Sequence, residues 1–207
     1  SAMIGAGVDI TKAKGNLVVD IGGGTTNVAI VSMNGVVTSH TIKVAGNCID
    51  NAIIKYVQNK YKLLIGERTA EYVKIHLANL YDPNVEISMQ VKGKNLIKGL
   101  PEIINLNETE LYEAVEDEIF KILEAIRKVL GDTPPELVSD IHTNGIILTG
   151  GGALLGGLAP LIKRTLGVEC RVADDAMNCV AKGTCVAFKE MNTLLDGFEN
   201  VPVYKYR

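Results

Sequence analysis

The sequence predicts an α/β fold with a smaller α+β unit inserted into it. Three observations carry that expectation. Residues 17–32 read LVVDIGGGTTNVAIVS, two β-branched runs on either side of a glycine turn. Residues 144–162 read NGIILTGGGALLGGLAPLI, a second apolar run that breaks at glycines and resumes with helix formers. Between them lie segments whose apolar residues recur at helical spacing, the longest from about 107 to 130. A chain of 207 residues suffices for one ordinary domain or two small ones, and at that length roughly 70% of the unfolded surface can be buried.

Taken in order, residues 17–21, 28–32 and 36–44 read as strands joined by GGGTTN and by Met33-Asn34-Gly35. Asn-Gly between apolar runs signals a hairpin, so an antiparallel meander is expected. Residues 50–61 place Ile53, Ile54 and Val57 at helical spacing, and 66–79 (GERTAEYVKIHLAN) form a second helix. Residues 85–91 alternate, with Val85, Ile87, Met89 and Val91 apolar, as a half-buried strand does. Gly93-Lys94 reads as a turn, with 96–97 and 103–106 continuing a small sheet. Asn107 with Glu110 three residues on resembles a capping box. The helix it opens runs to about Leu130 with Leu111, Val115, Ile119, Ile122, Ile126 and Val129 on one face, and Pro134-Pro135 lies beyond its end. Residues 146–149 form a buried strand, a short helix opens near Pro160, 168–173 form a strand and 176–191 a helix. The tail NVPVYKYR is ordered only if docked elsewhere.

Composition removes several function classes. Net charge is −3, no basic block occurs, Trp is absent and aromatics are 5%, so nucleic acid is not an expected partner. Cys48, Cys170, Cys179 and Cys185 form no CxxC, and His40, His76 and His142 are scattered, which gives zinc little support. Reduced, cytosolic thiols are the default, with Cys179 and Cys185 as small core residues. No basic-then-apolar leader opens the chain. The stretch 144–162 carries no charge over 19 residues, close to a spanning length, but six glycines and Pro160 make a strand, turn and helix the better account, so no transmembrane span is expected.

The chemistry concentrates at the glycines. A glycine turn at a strand end permits positive φ and close backbone approach, and successive N–H groups there can hold phosphate oxygens. Gly22, Gly23 and Gly24 supply such a turn, with the Thr25 and Thr26 hydroxyls as possible further donors. The motif is neither GxxxxGK[ST] nor GxGxxG, and a strand rather than a helix follows. Asp20 beside phosphates is electrostatically unfavourable unless a divalent cation, usually water-clad Mg²⁺, lies between them. The alternative is a tight hairpin with an acid on its rim. The second junction, TGGGALLGG at 149–157, could let a base or ribose lie on backbone, or could serve close packing of helix on strand. Glu71 and Lys74 share a helix face, suited either to ribose or phosphate or to an exposed ion pair.

These motifs in this order resemble the actin-like ATPase superfamily: VVDIGGGTTNVAIVS its second phosphate motif, ILTGGGALLGGL its adenosine motif. More narrowly, KYKLLIGERTAE, GLPEIINL, TPPELVSDI and ILTGGGALL resemble the MreB/Mbl family of bacterial actins, from about Ile4 to Met191, with AMNCVAKG leaning towards the Mbl branch. The resemblance implies a ribonuclease-H-like subdomain from 1–46 and 120–207, and a small α+β subdomain from 47–119. It implies ATP and Mg²⁺ as cofactors. Asp20 would face the metal through water. Gly22, Gly23, Gly24 and Thr25 would bind the β/γ-phosphates, Glu71 and Lys74 the ribose or base, and Gly150, Gly151, Gly152 and Ala153 would cradle the adenosine. It further implies a cytoplasmic parent that polymerises with itself into membrane-associated filaments, meets membrane-linked morphogenetic proteins and organises cell-wall synthesis.

Two departures bear on activity. The family's first DxGT-type hairpin has no counterpart in these residues, and its water-orienting glutamate would fall just before Ser1. The sequence therefore reads as the second half of such a protein, Ser1-Ala2 as an expression remnant, and the piece itself as inactive, with membrane attachment in the other half. Asn27 stands where the family pattern leads one to expect an acid. The rivals are the second half of a sugar- or acetate-kinase-type phosphotransferase of the same superfamily, and a non-catalytic protein-binding module.

Overall fold

A computed structural model describes residues 1–189. A short helix α1 (Ala2–Gly5) precedes the meander β1 (Asn16–Ile21), β2 (Thr26–Ser32) and β3 (Gly35–Ile42). Helix α2 (Gly46–Tyr61), strand β4 (Leu63–Leu64) and helix α3 (Glu67–Leu77) follow, then β5 (Ser88–Asn95) and β6 (Pro101–Asn107). Helices α4 (Glu108–Gly131) and α5 (Pro135–Asn144) lead to β7 (Ile146–Thr149), α6 (Leu158–Leu166), β8 (Cys170–Val172) and α7 (Cys179–Lys189). The tail NVPVYKYR and the last two residues of the helix expected over 176–191 lie outside the described residues.

The strands form two sheets: five strands in the order β3-β2-β1-β7-β8, and three in the order β4-β5-β6. β1 pairs antiparallel with β2 but parallel with β7. Parallel strands are normally covered on both faces, and β1 and β7 are: Leu17, Val19, Ile146 and Leu148 are fully buried on one face, and Val18 and Ile147 are buried on the other. One continuous apolar core joins both sheets. Helix α4 presents Leu111, Val115, Ile119, Ile122, Ile126 and Val129 to it and packs on β2, β3 and β6. Its capping box forms as its sequence requires: Asn107 accepts from Glu110 N, and Glu110 accepts from Asn107 N. The division expected near 119/120 falls inside this helix.

Several local expectations change. The β2–β3 hairpin turns on Met33 and Asn34, at φ of 50° and 61°, with Gly35 opening β3, so the two positive-φ positions lie one residue earlier than Asn-Gly suggests. Residues 85–87 are not strand; Val85 and Ile87 are exposed, because this segment is pinned by Glu108 (accepting from Asn84 N) and by Ile87 O rather than by a neighbouring strand. Gly93-Lys94 is no turn but lies within β5. A Cβ on Gly93 would stand 2.5 Å from Leu64 O, so glycine is what lets β4 approach. The turn is at 96–100, where Gly99 has φ +71°, so Leu96 and Ile97 are exposed turn residues. Pro135 opens a helix rather than merely following one, as proline does at the first helical position. Cys179 is buried as expected, whereas Cys185 is exposed.

Candidate functional site

Because β1 and β7 run parallel and adjacent, the loops that follow them leave the sheet at the same edge. Asp20 lies opposite Thr149 in the register, and Thr149 Oγ1 donates to Asp20 Oδ1 at 3.0 Å. The two glycine bends therefore share one surface. A Cβ on Gly150 would lie 2.3 Å from Ile21 O and 3.0 Å from Asp20 Oδ1, and one on Gly152 would lie 2.3 Å from Ile21 Cγ2. These two glycines allow the second bend to close down on the end of β1.

The first bend is held by Gly22 N donating to Thr25 O at 3.0 Å. Its carbonyls cap α2: Gly46 N donates to Gly22 O and Asn47 N to Gly23 O, at 3.1 and 2.8 Å. Helix α2 has no side-chain cap at Ala45, so the glycine carbonyls satisfy amides that would otherwise be orphaned. The amides of Gly23, Gly24 and Thr25 donate to no backbone partner among the described residues, and all three residues are exposed. Nothing lies within 4 Å of where a Gly24 Cβ would be. Positive φ is not what this bend requires, since none of Gly22, Gly23 and Gly24 has it; at the second junction Gly150 has it, at +82°, as does Gly157, at +77°.

The two threonines divide. Thr25 is exposed, while Thr26 is fully buried and its hydroxyl donates to Val44 O at 2.6 Å, so Thr26 is a structural residue and not a further donor to a ligand. Asn27, cross-strand from Asp20, accepts from Thr41 Oγ1 at 2.8 Å. In the second bend Gly150 N donates to Ala176 O, and Gly151 opens a 3₁₀ turn with nothing within 4 Å of its Cβ position. Ala153 is 2% exposed and its amide is committed to Gly150 O, so it packs in the core beneath the turn.

Helix α3 supplies the third component. Lys74 Nζ lies 2.8 Å from Asp50 Oδ1 on α2, with each side chain 14% exposed, and 3.5 Å from Gly46 O. A Cβ on Gly46 would be 3.4 Å from Gly22 O and 3.6 Å from Lys74 Nζ, so the ammonium sits across Gly46 from the first bend. The ion pair with Glu71 is not formed, because Lys74 takes Asp50 instead. Glu71 is exposed one turn earlier on α3, and no polar contact joins it to the bend among the described residues.

Asp50, Thr149 and Gly46 were not legible as site residues. The partners of Asp50 and Thr149 lie far along the chain, and no local motif marks such pairs. Surface hollows of about 520, 430 and 650 Å³ lie elsewhere: by Asn84 and Glu108, between α2 and α4, and between α1 and α7. The strand-end surface is open rather than enclosed, with Gly23, Gly24, Thr25 and Gly151 all exposed. The donor set fits a polyphosphate with a hard cation. It offers backbone amides unpartnered among the described residues, the Lys74 ammonium and the Asp20 carboxylate.

Comparison with known proteins agrees with this geometry. A family model described as MreB/Mbl protein matches residues 1–196. The chain is 46% identical over 193 residues to the cell shape-determining protein Mbl of Bacillus subtilis (strain 168), covering 93% of this chain and 58% of that protein. It is 44% identical over 183 residues to the cell shape-determining protein MreB of Escherichia coli (strain K12), covering 88% and 53%. Among solved structures, MreB5 of Spiroplasma citri bound to ADP superposes with a TM-score of 0.89 at 37% identity, over 95% of this chain and 60% of that one. The MamK double helical filament, at 23% identity and a TM-score of 0.74 over 91% of this chain and 57% of that one, shares the fold. The chain thus spans between half and two thirds of the relatives it matches. With an actin-like ATPase fold and the family's match over nearly its whole length, the chain belongs to the MreB/Mbl family.

Proposed function

We propose that the full-length product carrying this chain is a cytoplasmic, cell-shape-determining bacterial actin. It binds ATP with Mg²⁺, polymerises with itself and organises cell-wall synthesis at the membrane through membrane-linked partners and a segment outside this chain. The observation that carries the nucleotide part is the parallel pairing of β1 with β7, which brings Asp20 and both glycine bends to one sheet edge. MreB5 of Spiroplasma citri bound to AMPPNP, 36% identical to this chain with a TM-score of 0.87, supports it. Membership of a family whose named relatives are cell shape-determining proteins favours this reading over a sugar- or acetate-kinase.

In this reading the free amides of Gly23 and Gly24 and the amide and hydroxyl of Thr25 donate to phosphate oxygens. Gly22 holds that turn closed. Asp20, oriented by Thr149, holds the cation through water. Lys74 and Glu71 serve the ribose or base, and Gly150, Gly151 and Gly152 form the floor for the adenosine, with Ala153 packed in the core beneath them. When bound, Mg²⁺ would supply charge neutralisation at the phosphates. The five-stranded sheet is the core of the subdomain made of 1–46 and 120–207, and the three-stranded sheet is that of 47–119.

Ultracentrifugation tests the proposal. The full-length product is expected to sediment with Mg-ATP, and Asp20→Ala to leave it in the supernatant. A wild-type protein that stays soluble under every nucleotide condition overturns the filament reading. The 207-residue chain alone, which holds one DxGGGT motif and no second DxGT hairpin, is expected to show no ATP turnover above background.

A further inference from the structure

We propose that Asp50 is a positioning residue that holds the Lys74 ammonium at the mouth of the first glycine bend. This rests on the nucleotide reading above. A lysine is a point charge on a flexible four-carbon stem, and its usefulness to a ligand depends on where the stem is fixed. Here Asp50 fixes it at 2.8 Å, with both side chains largely withdrawn from water. A cation beside the N-terminal turn of a 16-residue helix is disfavoured by the helix dipole, so a lysine placed there needs a carboxylate to hold it. The ammonium lies 2.8 Å from Asp50 Oδ1 as an ion pair and donates to Gly46 O at 3.5 Å, and with three donors it keeps capacity for a ligand.

The registration extends to the phosphate turn itself. The Gly22 and Gly23 carbonyls fix the first amides of α2, α2 fixes Asp50, and Asp50 fixes Lys74 on α3. Bend and ammonium are thereby set at one distance before any ligand arrives, which lowers the ordering loss on binding.

The test is a set of Mg-ATP titrations by calorimetry on the full-length product, with Asp50→Asn, Asp50→Glu, Lys74→Met and the combination of Asp50→Asn with Lys74→Met. Residues acting through one another couple strongly. Asp50→Asn is expected to weaken Mg-ATP about tenfold when Lys74 is present and less than about twofold when it is Met, within the coupling range of residues in contact. Asp50→Glu keeps the charge and moves it by one methylene. It keeps the proposal testable if Asp50→Asn fails to fold, and it too weakens binding only when Lys74 is present. Equal weakening in both backgrounds overturns the proposal, since a merely structural Asp50 would act without Lys74. So does the absence of any effect from either Asp50 variant. Asp20→Ala separates the two levels. If it abolishes binding while the Asp50 variants are silent, positioning alone fails; if it leaves binding intact, the nucleotide reading fails.

Discussion

Gly150 and Gly151 are neighbours with opposite physical roles, and substituting each by alanine separates packing from binding. Gly150 adopts φ 82°, ψ 168°, a region open essentially to glycine alone. Its Cβ would also stand 2.3 Å from Ile21 O and 2.7 Å from Ile21 C, backbone atoms that cannot swing aside. Strain of this kind costs about 1–3 kcal/mol and overpacking a similar amount. Gly150→Ala should therefore lose about 3 kcal/mol or more by both principles together. At roughly 2–4 °C per kcal/mol for 150–250 residues, and less for a longer chain, the melting temperature of the full-length product falls by several degrees. Gly151 has no positive φ and nothing within 4 Å of its Cβ position. Gly151→Ala should leave the melting temperature unchanged or slightly raised, since an alanine that fits lowers the entropy of the unfolded chain. Its methyl group nonetheless projects from the exposed face where the adenosine is proposed to lie, so Mg-ATP binding weakens. Differential scanning calorimetry and nucleotide titration on the full-length product read both. Equal melting of Gly150→Ala and wild type would refute the packing argument. Unchanged ATP affinity in Gly151→Ala would refute the floor assigned to it.

Two further predictions follow from the same surfaces. Thr26→Val leaves the Val44 carbonyl without its donor and should destabilise by about 1–3 kcal/mol, whereas Thr25→Val on the exposed bend should change stability by less than about 0.5 kcal/mol yet weaken Mg-ATP; the reverse pattern contradicts the division of roles. Burial alone would raise the Glu110 carboxyl, but hydrogen bonds from Lys60, from Tyr61 and from Asn107 N outweigh it and hold it below its ordinary value of 4.5. A carboxyl depressed in the folded state stabilises above its unfolded pKa and loses that contribution as pH falls. Glu110→Gln should thus cost about 1–2 kcal/mol at pH 7, with the gap to wild type narrowing below about pH 4.5 in denaturant titrations; a constant gap refutes it.

Much of this was legible in the sequence because the relevant signals are local. The meander, the capped helix α4 and the strand–glycine junctions each follow from neighbouring residues whose period or turn chemistry admits one solution. The small sheet was less legible. Val85 and Ile87 continue the alternation of β5 but have no strand to pair with, and Gly93 looks like a turn residue until β4 is seen paired beside it. At the site, the type of chemistry could be read from Asp20 and the glycines, but the reason for each glycine could not. Gly150 and Gly152 answer to Ile21, and Gly23, Gly24 and Gly151 to open space. Pairings across long separations, Lys74 with Asp50 and Thr149 with Asp20, leave no trace in spacing. The same holds for Thr26, whose burial under Val44 O separates it from its exposed neighbour Thr25.

Hydrogen exchange of the full-length product with and without Mg-ATP probes the central claim most directly, because the amides of Gly23, Gly24 and Thr25 lack backbone partners among the described residues. Protection should rise together in segments 22–25 and 150–153, and Asp20→Ala should remove both gains. Protection confined to one segment, or absent from both at saturating nucleotide, would mean that the two bends do not close around a common ligand.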